Sequence, residues 1–511
     1  MKKNNKIVFT RYFFPLVLIM VMVFIWYPNN HWKILMGDDL IAVTDFKENG
    51  FIGSLINATD FSLGKIRPIQ KIILYFVYLI CGIEYKKYYI VSRIAVGIGI
   101  FIIYKIMKFC EIDAVKSICI VILILTCPFS AYAAWQYIGI TETFSLVCCV
   151  LYAYSTCLYY YEKDEKKCRI IIGVSSFYLA LLIFNAERFM YMVVIHIIVI
   201  LIKRSCSWKK KITRVVISIW PIGIRSLILK GMGTTALGTG RESIWKLLSN
   251  IIPYAIRGFV NMLGFSIGDS WHGGFSILQI PPVILVISCF RVFIYIGVLY
   301  TAIKKVILEK ETSMIEILVW YIFSLSSLFS YALVGETHGE DRFLWVPYVF
   351  YLFALVKYVQ IQYKNRTLFF LCNENRYVYQ IKKSFIVMGG IVLVASNFYY
   401  YLAKGGVHFR YSQEIAQTAY DNIMKLGGEE NIENVAFVNP NDYAWVFYGD
   451  SFVHYYLNEN ISAYYYDSVE QLNNDREKLG SKTVIIYPDL NYKVPFGASA
   501  YWIDDFNEEG K

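Results

Sequence analysis

Long apolar runs separated by short basic loops dominate this sequence and constrain its fold more than any other feature. A helix needs about 20 apolar residues to cross roughly 30 Å of hydrocarbon, and most of the runs approach that length. Mean hydropathy is +0.45 and only 17% of the residues are charged, whereas about a quarter are charged in a soluble protein. The sequence therefore predicts a mainly α-helical, polytopic membrane protein with about 11 transmembrane helices. The predicted spans are 8–27, 88–107, 117–131, 138–161, 170–186, 188–203, 212–230, 278–303, 313–335, 342–360 and 384–402.

One further run, "PIQKIILYFVYLICG" at 68–82, decides the orientation. Its apolar part of about 12 residues is too short to span and is typical of an interfacial helix. With 68–82 in the interface, the basic loops all lie on the cytoplasmic side, as the positive-inside rule requires; if it spanned, they would all lie outside. We therefore predict a plasma-membrane protein with a cytoplasmic N-terminus and an uncleaved first helix. The loops are 105–116, 162–169, 203–214, 304–311 and 364–383.

This orientation places three chemically rich regions outside: a loop at 28–87, a second at 231–277, and the end of the chain. Residues 403–511 contain 8 Lys and Arg against 17 Asp and Glu, and no cysteine. The pieces "NVAFVN" and "KTVIIY" have the pattern of buried strands, whereas "SQEIAQTAYDNIMKL" and "SVEQLNNDREKL" have that of helices. We predict a transmembrane domain at 1–402 and a small extracytoplasmic α/β domain at 403–511. A nucleic-acid partner is not expected, because the chain has no long basic tract interleaved with aromatic residues.

Adjacent carboxylates, Asp38 and Asp39, follow the first span on the predicted outer face. A carboxylate within reach of a hydroxyl can accept its proton as that hydroxyl attacks an electrophilic carbon. The alternative is that the pair caps the helix "LIAVTDFKENG", since Asp is a favoured N-cap residue. Spacing alone leaves both interpretations open.

Cations near the same face are candidates for binding a phosphate or a sugar. Lys65 and Arg67 precede the interfacial run, and Arg225 lies toward the outer end of its span. Guanidinium and ammonium groups neutralise phosphoryl oxygens, but Lys and Arg also anchor helices at interfaces. Arg93 and Arg291 lie inside apolar runs, where a charged side chain indicates a buried functional cation. For Arg93, snorkelling of the side chain toward water is an alternative interpretation.

Further candidates for substrate binding lie at outer helix ends. Glu142 begins a span, and Arg188 follows Glu187 in an outer turn, where a mutual ion pair is the alternative. "GETHGEDR" at 335–342 contributes His338 and Arg342. Without helical His/Glu ligand spacing around His338, a metal site is not indicated, and the metal requirement stays open.

The order of these features resembles the GT-C superfamily of integral-membrane glycosyltransferases, especially the protein O-mannosyltransferase and aminoarabinose transferase type. The resemblance covers roughly residues 1–360. Arg67 stands where the family has His, Glu142 where it has Asp, and residues 403–511 have no assigned counterpart. The motifs that carry the resemblance are, in order, "GDDL", "IRPIQKIILYFVYLICG", "YYIVSRIAVGIGIFIIYKIMK", "LTCPF", "ITETF" and "DRFLWVPYVF".

The resemblance implies an enzyme that passes a sugar from a polyprenyl-phosphate donor to an extracytoplasmic acceptor, which could be an envelope glycan, a glycolipid or a protein. It implies that Asp38 is the base and that Asp39 orients the acceptor or helps to bind a cation. Arg67, Arg225 and Arg342 would stabilise the departing lipid phosphate. No cofactor is implied with certainty, and a divalent cation is left open.

Three other functions compete with this one. A polysaccharide polymerase or ligase also joins lipid-linked glycans outside the cell, but it would depend little on an acidic pair in the first loop. A transporter or flippase would place charges along a path through the bilayer, where only Arg291 lies deep. A non-catalytic envelope scaffold would need neither acid.

Overall fold

A computed structural model describes the chain at residues 13–27, 33–60, 65–203, 206–229, 244–265, 280–334, 341–364, 383–400, 407–427, 430–438, 444–488 and 498–506. The longer helices and the strands are numbered in chain order. The first part contains α1 (Phe14–Trp26), α2 (Asp38–Asn57), β1 (Thr59–Asp60), β2 (Lys65–Ile66), α3 (Pro68–Cys81), α4 (Tyr85–Phe109), α5 (Ala114–Thr126), α6 (Ala131–Trp135), α7 (Ile140–Tyr161), α8 (Glu165–Ile183), α9 (Met192–Ile202), α10 (Trp208–Ile228) and α11 (Ile244–Met262). The second part contains α12 (Pro282–Ile307), α13 (Ile315–Val334), α14 (Trp345–Lys364), α15 (Lys383–Tyr400), α16 (Val407–Lys425), β3 (Asn434–Val438), α17 (Ala444–Phe447), α18 (Asp450–Tyr456), β4 (Ser462–Tyr466), α19 (Val469–Leu479), β5 (Thr483–Pro488) and β6 (Ala498–Trp502).

Apolar helices long enough to cross a membrane confirm the multi-pass membrane class. In the described part of the chain there are five, and a sixth if the bent pair of α5 with Pro128–Trp135 counts as one span. The remaining predicted spans are shorter or more charged, so the number 11 stays a prediction. The five are Tyr85–Phe109, Ile140–Tyr161, Pro282–Ile307, Thr312–Phe329 and Arg342–Gln362.

Arg93, on α4, joins that helix to the end of α1. It is 1% exposed, and its Nε donates to the carbonyl of Tyr27, at the end of α1, over 2.8 Å. Its Nη1 donates to the carbonyl of Tyr89 at 3.1 Å. The snorkelling interpretation is therefore wrong for Arg93, because the guanidinium satisfies carbonyl groups at a helix end instead of reaching water.

Arg291 likewise joins two helices within the membrane part. From α12 its Nη2 donates to Ser396 Oγ at 2.6 Å, to Asn397 Oδ1 at 2.9 Å and to the carbonyl of Leu393 at 3.1 Å, all on α15. Several neutral acceptors can share the charge of a buried cation. Arg291 thus has a structural role that explains its position.

A sharp bend follows α5, at "LTCPF". Pro128 lacks an N–H and favours an extended conformation at the preceding residue, and Cys127 has φ −69° and ψ 148°. The two helical parts meet at 66°. The carbonyl of Leu125, which the bend leaves without its helical donor, accepts from Tyr27 Oη at 3.2 Å and from Ser130 Oγ at 3.0 Å. The chain therefore turns back and carries α6 across the end of the bundle.

The predicted interfacial run is α3, a helix of 14 residues. At 1.5 Å per residue it is about 21 Å long, which is short of the hydrocarbon thickness. An ion pair between Lys71 of α3 and Asp45 of α2 joins the two helices. The Asp45 carboxylate also accepts the Asn57 amide at 2.9 Å, which holds α2 together beyond its kink at Gly50.

The last part of the chain contains the predicted strands "NVAFVN" and "KTVIIY" in one four-stranded sheet, in the order β4-β3-β5-β6. β3 pairs in parallel with β4 and β5, while β5 and β6 are antiparallel. Side chains alternate along β3 and β5, so the sheet is apolar on both faces. Ala436 and Ile485 pack with α19 on one face, whereas Val435 and Ile486 face a larger cluster.

That larger cluster is shared with the segment around the acidic pair. It combines Leu35, Phe46 and Tyr89 from the first loop and α4 with Ala419 of α16 and Phe437 of β3. The sheet and the first loop thus bury apolar surface against each other. This contact positions the candidate site.

Candidate active site

The two acids occupy the first turn of α2. The N-cap residue is Gly37, whose φ of 60° lies in the left-handed region that favours glycine. No side chain forms a cap at this end, so the capping interpretation of the acidic pair is wrong.

Asp39 points into the protein and is 2% exposed. Its Oδ2 accepts the N–H of Tyr137 and its Oδ1 accepts the N–H of Ile138, both at 2.8 Å. Burial raises the pKa of Asp39 to about 7, and the nearby Asp38 adds to this effect, while the two N–H groups and Arg342 oppose it. Asp39 therefore links α2 to the segment after α6 and titrates near neutral pH.

Asp38 has a different environment from its neighbour. It is half-buried, and Tyr448 Oη donates to its Oδ1 at 3.3 Å. Within the described residues this hydroxyl is the only hydrogen-bond partner of the Asp38 carboxylate. The other carboxylate oxygen can therefore meet a substrate hydroxyl.

Arg342 lies beside the acids on an aromatic surface. Its guanidinium carbon is 4.1 Å from the ring centroid of Tyr132 and 5.0 Å from that of Phe343. Such contacts hold a guanidinium in a defined plane. The charge of Arg342 acts on both Asp39 and Arg67, so Arg342 lies between the buried acid and the next group of cations.

That next group consists of two arginines around one carboxylate. Arg67 donates to Glu187 through Nε at 2.9 Å and through Nη2 at 2.5 Å. Arg225, which is buried, also acts electrostatically on Glu187. Burial would raise the pKa of Glu187, but the hydrogen bonds and charge of Arg67 hold it below its ordinary value. Two cations facing one anion leave a net positive charge, which suits an anionic ligand.

A second ion pair joins Arg188 and Glu142. The Arg188 guanidinium carbon is 4.1 Å from the ring centroid of Phe343, which also contacts Arg342. The alternative that Glu187 and Arg188 form an ion pair with each other is therefore wrong. Glu187 pairs with Arg67, and Arg188 pairs with Glu142.

A glycine allows the Asp39 contact to form. An added Cβ at Gly139 would lie 2.3 Å from the carbonyl oxygen of Tyr132 and 2.6 Å from Ala133 Cα. Both are backbone atoms, so they cannot move without displacing α6. Only a residue without Cβ lets the chain pass this closely and aim two N–H groups at Asp39.

The structure brings together Asp38, Asp39, Arg67, Glu142, Arg188, Arg225 and Arg342. Lys65 lies nearby in β2, where it pairs with Asp60 in the antiparallel register. His338 lies outside the described residues. In the described part of the chain no three His, Cys, Asp or Glu side chains group as metal ligands would.

Sequence reasoning missed one residue of the site and one pairing. The pairing is that of Glu187 with Arg67, which lies 120 positions away. Tyr448 comes from the last part of the chain, 410 positions after Asp38. No sequence signal distinguishes it among 43 tyrosines.

Several solved structures are similar to this chain. The oligosaccharyltransferase of Archaeoglobus fulgidus, tethered with an acceptor peptide containing the NVT sequon, has TM-score 0.51 and 11% identity, covering 94% of this chain and 70% of that chain. Its apo form has TM-score 0.50 and 11% identity, covering 93% and 69%. ArnT from Cupriavidus metallidurans bound to undecaprenyl phosphate has TM-score 0.49 and 9% identity, covering 93% of each chain. No family model and no curated protein sequence matches. The TM-scores of 0.50 and 0.51 show that this chain shares the fold of the Archaeoglobus fulgidus oligosaccharyltransferase.

Proposed function

We propose that this protein transfers a sugar from a polyprenyl-phosphate donor to a hydroxyl-bearing acceptor outside the cytoplasm, with Asp38 as the general base. The acceptor class is an envelope glycan, a glycolipid or a protein. One observation supports this most: the partly exposed Asp38 is next to Asp39, on which the charge of Arg342 acts, and Arg342 in turn acts on Arg67.

The arrangement suits displacement at the anomeric carbon of a lipid-linked sugar. The acceptor oxygen bonds to that carbon, the bond from carbon to phosphate oxygen breaks, and the lipid phosphate leaves with the bonding electrons. Asp38 takes the hydroxyl proton. A developing positive charge on the sugar ring is favoured by the adjacent carboxylate.

The arginine group suits the leaving phosphate. Arg342 is held over the ring of Tyr132, so its guanidinium group is in place before substrate arrives. Arg67 and Arg225 add positive charge that Glu187 neutralises only in part. In this proposal Lys65, Glu142, Arg188 and His338 border the donor site, and Asp39 positions α2 without touching the substrate.

Transfer can be measured with the purified protein in lipid and a set of polyprenyl-phosphate sugars. Asp38→Asn is expected to lower kcat by about 10²- to 10⁴-fold, the usual contribution of a general base. Glu84→Gln is the matched control, since Glu84 lies in the same loop and forms an exposed pair with Lys87.

The same comparison separates the competing functions. A polymerase or ligase would retain activity in Asp38→Asn, and a transporter or scaffold would transfer no sugar in any form. Mass spectrometry of envelope glycans from cells with and without the protein would identify the acceptor. Unchanged glycans in that experiment would contradict every glycan-linked function.

A further inference from the structure

We infer that Tyr448 is a positioning residue for Asp38, supplied to the site by the last part of the chain. This inference rests on the proposed function, because it concerns how the proposed base is held. It also means that the segment 444–456, which contains α17 and α18, completes the active site.

The segment before Asp38 is held from both sides by this last part of the chain. Gly37 N–H donates to the carbonyl of Val446 at 2.9 Å. Leu35 N–H donates to Tyr456 Oη at 2.5 Å, and that hydroxyl lies 3.3 Å from the Leu35 carbonyl. These bonds fix the backbone that leads into the acid.

α2 is held along its length by the same segment. Thr44 Oγ1 donates to the carbonyl of Ser451 at 3.3 Å, and Lys47 Nζ donates to the carbonyl of His454 at 2.8 Å. The His454 ring lies 3.0 Å from Glu48. The first turn of α2 and residue 448 therefore keep a fixed separation.

Tyr448 itself has an uncommon backbone conformation. Its φ is 40°, in the left-handed region that a bulky side chain rarely adopts. Such a residue persists only when its surroundings enforce it, and such residues cluster at functional sites. Gly449 follows, and a Cβ there would collide with the Tyr465 ring, so the turn cannot shift in that direction. The turn aims the Tyr448 hydroxyl at Asp38.

The consequence for the reaction is geometric. A hydroxyl that donates to Oδ1 favours one rotamer of the Asp38 carboxylate and leaves Oδ2 for the incoming acceptor hydroxyl. The oriented carboxylate then meets the acceptor proton at a defined angle, which raises kcat without changing the affinity for the donor.

Steady-state transfer tests this with full-length wild-type protein, Tyr448→Phe and Tyr464→Phe. Tyr464 is the matched control, because it is 40% exposed against 38% for Tyr448 and lies on β4 away from Asp38. Tyr448→Phe is expected to lower kcat about tenfold with an unchanged KM for the lipid-linked donor. Tyr464→Phe should match wild type.

A double-mutant comparison separates positioning from a general loss of structure. In an Asp38→Glu background the carboxylate is displaced, so Tyr448→Phe should lower kcat by less than threefold there. An equal loss in both backgrounds, or a wild-type kcat in Tyr448→Phe, would overturn the inference. Wild-type activity in Asp38→Asn would instead refute the proposed function itself.

Discussion

Successive side chains on a helix point about 100° apart, so Asp38 and Asp39 have different surroundings and different chemical properties. Asp39 turns into the protein, where two backbone N–H groups and low exposure surround it. Asp38 turns toward the surface and the Tyr448 hydroxyl. One carboxylate thus suits a structural contact, and the other suits proton transfer.

A pH-dependent stability is expected from Asp39. Its folded pKa of about 7 lies above the ordinary value of 3.8 for an aspartate, so the folded state binds an extra proton between these values. Stability from this group therefore falls as pH rises from about 4 to about 7 and is constant above that. Asp39→Asn should lack this decline, because an amide does not titrate there.

Thermal unfolding in detergent, followed from pH 5 to pH 8, measures the effect as a difference between wild type and Asp39→Asn. Asp38 and Arg342, which both face Asp39, are present in both proteins. Asp45 and Glu187 have lowered pKa values and lose their contributions only below this range. A constant difference in unfolding temperature across the series would contradict the expectation.

At the scale of elements, the break after α5 creates the site. A straight helix would continue through the membrane, whereas the 66° bend carries α6 and the turn at 136–139 back over α2. That turn supplies the N–H groups that hold Asp39, and α6 supplies the ring under Arg342. One Cys-Pro step therefore positions both the acid and the cation.

Gly139→Ala tests the close approach. The new Cβ would overlap backbone atoms of Tyr132 and Ala133, which would displace the turn. Overpacking of this kind costs about 1–3 kcal/mol, and we expect both a lower unfolding temperature and reduced transfer.

Gly173→Ala is the control for this change. A Cβ at Gly173, within α8, meets nothing within 4 Å. It should leave transfer unchanged and raise stability by about 0.5–1 kcal/mol, since alanine favours a helix. Equal behaviour of the two variants would show that the approach at Gly139 is unimportant.

At the scale of the whole molecule, the first and last parts of the chain pack against each other. The first loop and the four-stranded sheet share one apolar cluster, although they are nearly 400 positions apart. The arginines, the acids and the sheet therefore share one end of the helix bundle. The proposed function requires that this end face away from the cytoplasm.

Labelling of single cysteines tests that orientation. Residues 403–511 contain no native cysteine, and Glu459 is exposed in the loop before β4. In a cysteine-free background, Glu459→Cys should react with an impermeant maleimide in intact cells. Glu309 is exposed just after α12, in the predicted cytoplasmic loop 304–311. Glu309→Cys should therefore react only after permeabilisation. The reverse pattern would invert the predicted topology.

The sequence alone predicted what depends on local pattern and composition. Apolar run length indicated the membrane class, and the short run at 68–82 indicated a helix that lies along the interface. The strands "NVAFVN" and "KTVIIY" were also recognisable, because alternation and bounding polar residues are local properties. The acidic pair was found because Asp38 and Asp39 are adjacent and follow a span.

Only the tertiary structure decided which residues act together. Arg67 pairs with Glu187, Arg188 pairs with Glu142, and Tyr448 reaches Asp38, each across at least 46 positions. The distance in space between such residues cannot be derived from the sequence, because it depends on how the helices cross and on where Pro128 bends the chain. The division of the acids into one buried and one accessible group arises from the same packing, because burial is a property of the surroundings and not of the residue.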